Sequence, residues 1–149
     1  MRTRQNAREV GFRLEVIYAD ADLNEIRVSA WNGAFGGATD IYIQIDGLVE
    51  VAAKLAGFPR DPSDVREFIL GAFGHEFAGG AVSMKFYCID QAGHAFVESR
   101  IESGAESAGV WQAATLVMPV EAAAIDRFVE DLRRVEKEKS GVAVLESRG

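Results

Sequence analysis

The sequence predicts an α+β fold, in which a curved antiparallel sheet of about six to seven strands carries two helices on one face. Two observations lead to this prediction. Several segments alternate apolar and polar residues, which is typical of strands with one face buried. One strand-then-helix unit also occurs twice, and its apolar positions recur at an offset of 77 residues, from Ile41 to Met118 and from Leu55 to Leu132. The chain is therefore predicted to contain two pseudo-duplicated β-β-β-α halves.

The first half is predicted to begin with a hairpin. Strands cover residues 12–19 and 25–31, and Asp, Asn and Ala residues supply the turn between them. Alternation assigns one face of the first strand to Phe12, Leu14, Val16 and Tyr18. Asn32-Gly33 is a strong turn signal, and a third strand follows over about residues 39–45. Asp46 is predicted to cap the first helix, and Gly57 to end it.

The second half follows a polar, proline-containing linker over residues 58–64. Strands are predicted over residues 65–73, 81–89, 94–102 and 110–118, with a loop of small residues at 103–109. The last helix spans about residues 120–138, because its apolar side chains have helical spacing. Those side chains are Ile125, Phe128, Val129, Leu132 and Val135.

Length and charge limit the classes of function. One domain is predicted over residues 12–138, between a flexible tail at 1–11 and a tail at 139–149 in which Val142–Leu145 could instead add a short edge strand. The net charge of −7 argues against nucleic-acid binding. No apolar window is long enough for a membrane span, and no secretion signal is recognised. The single cysteine, Cys88, fits a cytoplasmic location.

No motif predicts a catalytic centre, a metal site or a cofactor. Asp20-x-Asp22-x-Asn24 opens like a calcium loop, but the required glycine and glutamate are missing. His75 and His94 lack the spacing of metal ligands. Cys88 is in phase with core residues, which favours an inert thiol. The glycines form no phosphate-binding loop.

Aromatic side chains are the best candidates for binding a partner. Alternation places several of them off the core face, where aromatic residues are typical of protein interfaces. These are Trp31, Phe35, Tyr42 and Trp111. The alternative is that they only cover an open sheet face, because single exposed apolar residues are common.

The order of elements resembles that of the WapI-type immunity proteins and their uncharacterised relatives. The matching pieces are residues 26–35, with Trp31-Asn32-Gly33, residues 41–55, residues 82–90 with Gly93-His94, and the strand-helix unit at 120–132. This resemblance covers most of residues 12–135. It implies a bacterial protein that binds and neutralises a toxin domain, and it carries over no site residues.

The expected function is therefore a non-enzymatic protein-binding module. An acidic chain favours a basic partner, such as a nuclease toxin domain, because opposite charges speed encounter. One alternative is a homodimer that covers an open sheet face carrying Trp31, Tyr42 and Trp111. Another is a small-molecule pocket between sheet and helices, near His75, His94 and Glu98.

Overall fold

The computed structural model describes residues 9–74, 79–104 and 110–147. Strands and helices follow one another in the predicted α+β order, and a further strand follows the second helix. The elements are β1 (Gly11–Ala19), β2 (Leu23–Trp31), β3 (Gly36–Gln44), α1 (Gly47–Leu55), β4 (Val65–Gly71), β5 (Ala81–Cys88), β6 (Ala95–Glu102), β7 (Ala113–Val120), α2 (Ala122–Glu138) and β8 (Val142–Glu146).

The strands form two four-stranded antiparallel sheets, so the prediction of one curved sheet is wrong in this respect. Sheet 1 has the order β3-β2-β1-β8, and sheet 2 has the order β4-β5-β6-β7. The carbonyls of β7 that point away from β6 accept hydrogen bonds from side chains rather than from another strand. The Asn32 amide donates to the Val117 carbonyl (3.0 Å), and the Ser147 hydroxyl donates to the Pro119 carbonyl (2.7 Å). In the described residues, no ladder therefore continues from β7 into sheet 1.

Each half of the chain contributes its last strand to the other half's sheet. The first half runs β1-β2-β3-α1-β4, and its β4 pairs with β5 in sheet 2. The second half runs β5-β6-β7-α2-β8, and its β8 pairs with β1 in sheet 1. The segment predicted as a C-terminal tail thus contains β8, which is the edge-strand alternative for Val142–Leu145.

Both sheets and both helices contribute to one hydrophobic core. The helices contact each other, while α1 also adjoins β3 and β4, and α2 adjoins β8. They therefore do not cover one face of a single sheet as predicted, because α1 and α2 lead to edge strands of different sheets. The largest fully buried side chains include Phe12, Phe58, Phe86, Phe128, Leu14, Ile26, Met84 and Met118.

The predicted core-facing orientation of Tyr18 is wrong, because β1 contains a β-bulge. The pairing register with β2 shifts between Val16 and Tyr18, so that Ile17 is an extra residue in the strand. Phe12 and Leu14 point into the core as predicted, but Tyr18 is exposed. Its hydroxyl donates to the Asp20 carboxylate (3.2 Å), which lies in the turn between β1 and β2.

A buried carboxylate from α2, rather than Asp46, caps the start of α1. Asp46 has a left-handed backbone, and its side chain makes no capping hydrogen bond. The carboxylate of Glu136, which is 4% exposed, instead accepts from the backbone N–H of Leu48 (3.1 Å). It also accepts from the Asn24 amide (3.2 Å) and the Lys139 ammonium (2.7 Å). The cap therefore connects both helices to β2.

Charge on Glu136 is favoured despite its burial. Burial by itself would raise the pKa of this carboxyl, because desolvation penalises the charged form. Hydrogen bonds from Lys139, from the backbone N–H groups of Leu48 and Asp46, and from Asn24 outweigh that effect. The pKa of Glu136 is consequently lowered, and the group is ionised at neutral pH.

The linker between α1 and β4 is anchored by Phe58, a buried residue within a segment predicted to be polar. Its ring lies edge-on to Phe86 of β5, with centroids 5.8 Å apart, and Phe86 also stacks on Phe68 of β4 at 6.1 Å. The Arg66 guanidinium lies 5.6 Å from the centre of the Phe58 ring. These contacts fix the position of β4 beside β5.

Candidate protein-binding surfaces

Trp31 and Tyr42 both lie on the outer face of sheet 1. Register places Trp31 opposite Gly36 and Tyr42 opposite Glu25, so the two rings are separated by six residues along β3. That separation is about 20 Å, given the rise per residue of a strand. Between them, Arg27 forms a two-pronged ion pair with Asp40 (2.9 and 3.1 Å). The two aromatic residues therefore belong to one face but not to one compact cluster.

Phe35 and Trp111 lie away from that face. Phe35 is 66% exposed in the turn between β2 and β3, where its N–H donates to the Asn32 side chain (2.8 Å). Trp111 is exposed just before β7, on the side of sheet 2. The prediction that one sheet carries Trp31, Tyr42 and Trp111 is therefore wrong, because Trp31 and Tyr42 lie on sheet 1, whereas Trp111 directly precedes β7 of sheet 2.

The predicted small-molecule pocket between sheet and helices is not found around His94 and Glu98. Both residues are exposed, and Glu98 lies on the outer face of sheet 2 between Lys85 and Val117. The His94 ring is 2.6 Å from the Asp90 carboxylate, and this hydrogen bond lowers the pKa of Asp90. Alternation along β6 directs the Glu98 side chain away from the core, and His94 lies just before this strand. His75 lies outside the described residues.

An apolar row on the outer face of sheet 2 was missed from the sequence. One cross-strand row joins all four strands, and the rings of Tyr87 and Phe96 stack within it at 6.3 Å. The next cross-strand row consists of the charged residues Glu67, Lys85 and Glu98, followed by Val117 on β7. Each member of the apolar row comes from a different strand, so only the pairing register between neighbouring strands reveals the row. Its members are Val65, Tyr87, Phe96 and Pro119.

Two cavities of about 490 Å³ each open onto the surface. The first, which we call the α1–β4 groove, lies between α1, β3 and β4. It is lined by Tyr42, Ile43, Gln44, Gly47, Glu50, Val51, Lys54, Phe68, Ile69, Leu70, Gly71, Ala72, Gly79 and Gly80. The second lies at the end of sheet 1, where Trp31, Arg13 and Ser29 are among its lining residues.

Cys88 has the environment of a structural residue. It is half-buried and packs against the core. Burial raises the pKa of its thiol, and the nearby carboxylates of Asp64, Asp90 and Asp61 raise it further. The thiol is therefore protonated at neutral pH and is a poor nucleophile.

Neither a metal centre nor a membrane helix is evident in the described parts of the chain. No group of three or more His, Cys, Asp or Glu residues there could hold a metal ion. Neither helix is both long and apolar enough to span a bilayer. No protein-family model, curated protein or solved structure matches the sequence or the fold.

Proposed function

We propose that this chain is a non-enzymatic, cytoplasmic binding protein of the immunity type, which neutralises a toxin domain by covering it. The main support is the outer face of sheet 2. There an apolar row of four residues crosses the whole sheet, with Val65 exposed and Tyr87, Phe96 and Pro119 half-buried. Apolar surface bordered by charged residues is typical of protein-protein interfaces.

Charge supports a basic partner. The chain has a net charge of −7, and Glu67 and Glu98 border the apolar row on either side of Lys85. Opposite charges on a partner would accelerate association, and raising the salt concentration would slow it. A nuclease domain, which needs a basic surface for its own substrate, has this charge.

The proposal is tested by capturing the partner from the native host with the tagged chain. Cross-linking followed by mass spectrometry should identify a basic protein domain, and the purified pair should form a stable complex. If the chain captures no protein above the level of an unrelated acidic control protein, the proposal is wrong.

Two exposed valines provide a matched pair of variants for the interface. Val65 is 54% exposed in the apolar row, and Val49 is 40% exposed on α1. We expect V65K to weaken partner binding at least 10-fold, because it places a charge in the apolar row, whereas V49K leaves binding unchanged. Titration calorimetry of the purified pair measures both. Equal affinities for the two variants would place the interface elsewhere.

A further inference from the structure

We infer that the outer edge of β4 binds an extended segment of the partner as an added β-strand. This inference rests on the proposed binding function and specifies its geometry. The recognised chemistry is a polypeptide backbone with apolar side chains at alternate positions and at least one Lys or Arg residue. Strand addition of this kind supplies affinity through main-chain hydrogen bonds.

The register of sheet 2 identifies the backbone groups at this edge. Ile89, which directly follows β5, donates its N–H to the His94 carbonyl (2.9 Å). The backbone N–H and carbonyl groups of odd-numbered residues in β5 therefore point toward β6. The backbone groups of even-numbered residues in β5 point the other way, toward β4, where Met84 pairs with Phe68. It follows that the odd-numbered residues of β4 direct their N–H and carbonyl groups away from the sheet. They are Val65, Glu67 and Ile69, together with the N–H of Gly71, whose left-handed backbone (φ 77°) ends the alternation.

The β7 and β8 edges are both protected. Pro119 has no N–H to offer on β7, and side chains occupy the carbonyls of Val117 and Pro119. On β8, the Asp131 carboxylate accepts from the Val144 N–H (3.2 Å), and the Arg134 guanidinium donates to the Val142 carbonyl (2.8 Å). These contacts are the usual means by which proteins prevent unwanted strand pairing.

The edge of β4 differs from the other edges. On β3, the Asp40 carbonyl accepts from the Gly80 N–H (2.8 Å). Within the described ranges, the outward backbone groups of Glu67, Ile69 and Gly71 have no such partner. All three residues are exposed, and Ile69 is 58% exposed. The edge is therefore open for pairing with another chain.

The α1–β4 groove lies directly beside this open edge. Its volume of about 490 Å³ is within the range of ligand-binding cavities. Ile43, Val51, Phe68 and Leu70 are almost fully buried and supply apolar lining. Side chains of an added strand alternate in direction, so every second one would enter the groove. An extended segment can form hydrogen bonds with the row of backbone groups and place apolar side chains against the groove lining.

Charge favours a foreign segment over a second copy of this chain. Glu50 and Lys54 both line the groove, and Glu67 lies on the edge strand itself, so a second β4 would add another Glu67 carboxylate to an edge that already carries one. Like charges at closely paired positions are destabilising. A Lys or Arg residue in a partner segment would instead complement them.

The test uses displayed random peptides of twelve residues as the probe, selected on the folded full chain. Selected peptides should carry alternating apolar residues. In nitrogen-15 NMR spectra they should shift the amides of Glu67, Ile69 and Gly71 and slow the hydrogen exchange of these amides at least 10-fold. The inference is overturned if no peptide is selected, if peptides shift other amides only, or if these amides are protected by self-association without peptide.

Proline variants test the edge itself. I69P removes an outward N–H without touching the β4–β5 ladder, and it should weaken peptide binding at least 10-fold. E67P removes a neighbouring outward N–H, and it replaces I69P in the binding measurement if I69P does not fold. The matched control, T115P, removes an outward N–H from the protected edge of β7 and should leave binding unchanged. I69A keeps the N–H and removes only side-chain contacts, so it should weaken peptide binding clearly less than I69P does.

The captured partner separates the two proposals. If a partner binds the unmodified chain and I69P equally well, the inference about the edge is wrong, while the binding function stands. If no partner is captured, the binding function is wrong, and the peptide result still decides whether the edge accepts a strand.

Discussion

Replacing Glu136 by alanine is expected to lower the free energy of unfolding by about 3 kcal/mol, because the variant leaves two buried donors and one half-buried ammonium without their acceptor. The Leu48 N–H, the Asn24 amide and the Lys139 ammonium all donate to this carboxylate. Urea unfolding followed by circular dichroism measures the change.

The matched control for Glu136 is Glu138, which is two residues away on α2 and exposed. E138A should change the free energy of unfolding by less than about 0.5 kcal/mol, as is usual for surface substitutions. E136Q keeps the side-chain volume and one acceptor, so its loss should fall between those of the other two variants. If E136A and E138A were equally stable, Glu136 would not be the cap of α1.

Acid should abolish part of the stability that Glu136 provides. The pKa of Glu136 in the folded chain is lowered relative to about 4.3 for an unfolded glutamate. Such a group contributes stability that is fully present above the unfolded pKa and is lost as the pH falls through the folded pKa. The difference in unfolding free energy between the unmodified chain and E136A should therefore be constant above about pH 5.5 and shrink below about pH 4. A constant difference down to pH 3 would contradict the assignment.

Replacing Phe86 by alanine is expected to cost about 3–5 kcal/mol, the range found for large aromatic residues in cores. Phe86 is fully buried and contacts two other rings, Phe58 from the linker and Phe68 from β4. The variant leaves a cavity and removes both ring pairs, so it also loosens the attachment of β4. Urea unfolding reports the loss, and hydrogen exchange in β4 should rise with it.

Leucine at position 86 provides the control for volume. F86L fills most of the space but lacks a ring, so it should lose clearly less than the alanine variant. F96A, on the outer face of the same sheet, should lose less than F86A because Phe96 is only half-buried. An F96A loss as large as that of F86A would show that the outer face is packed, which would also argue against its role in binding.

The sequence is informative about strands, helices and their buried faces, but not about which strands are neighbours. Alternation identifies Phe12 and Leu14 as core residues because burial of one face is a property of a single strand. The division into two sheets depends on contacts between distant segments, such as Asn32 with Val117 and Gly80 with Asp40. Neither contact leaves a periodic signal. The bulge at Ile17 likewise reverses the orientation of Tyr18 without any local cue.

The candidate binding surfaces show the same limit. Phe35 and Trp111 are exposed, but Phe35 lies in the turn between β2 and β3 and Trp111 lies just before β7, so neither position depends on strand phase. The apolar row of sheet 2 depends on lateral register, which brings Tyr87 next to Phe96. Glu136 was not recognised as a cap because its partner helix begins 89 residues earlier in the chain, at Gly47. Sequence spacing holds no information on such a distant contact.

The exchange of last strands between the halves has a consequence for unfolding. Neither half can open alone, since detaching one of them strips an edge strand from the sheet of the other. The first and last strands of the described residues, β1 and β8, are also joined to each other in one ladder. Denaturation should accordingly occur as one all-or-none transition, despite the internal repeat.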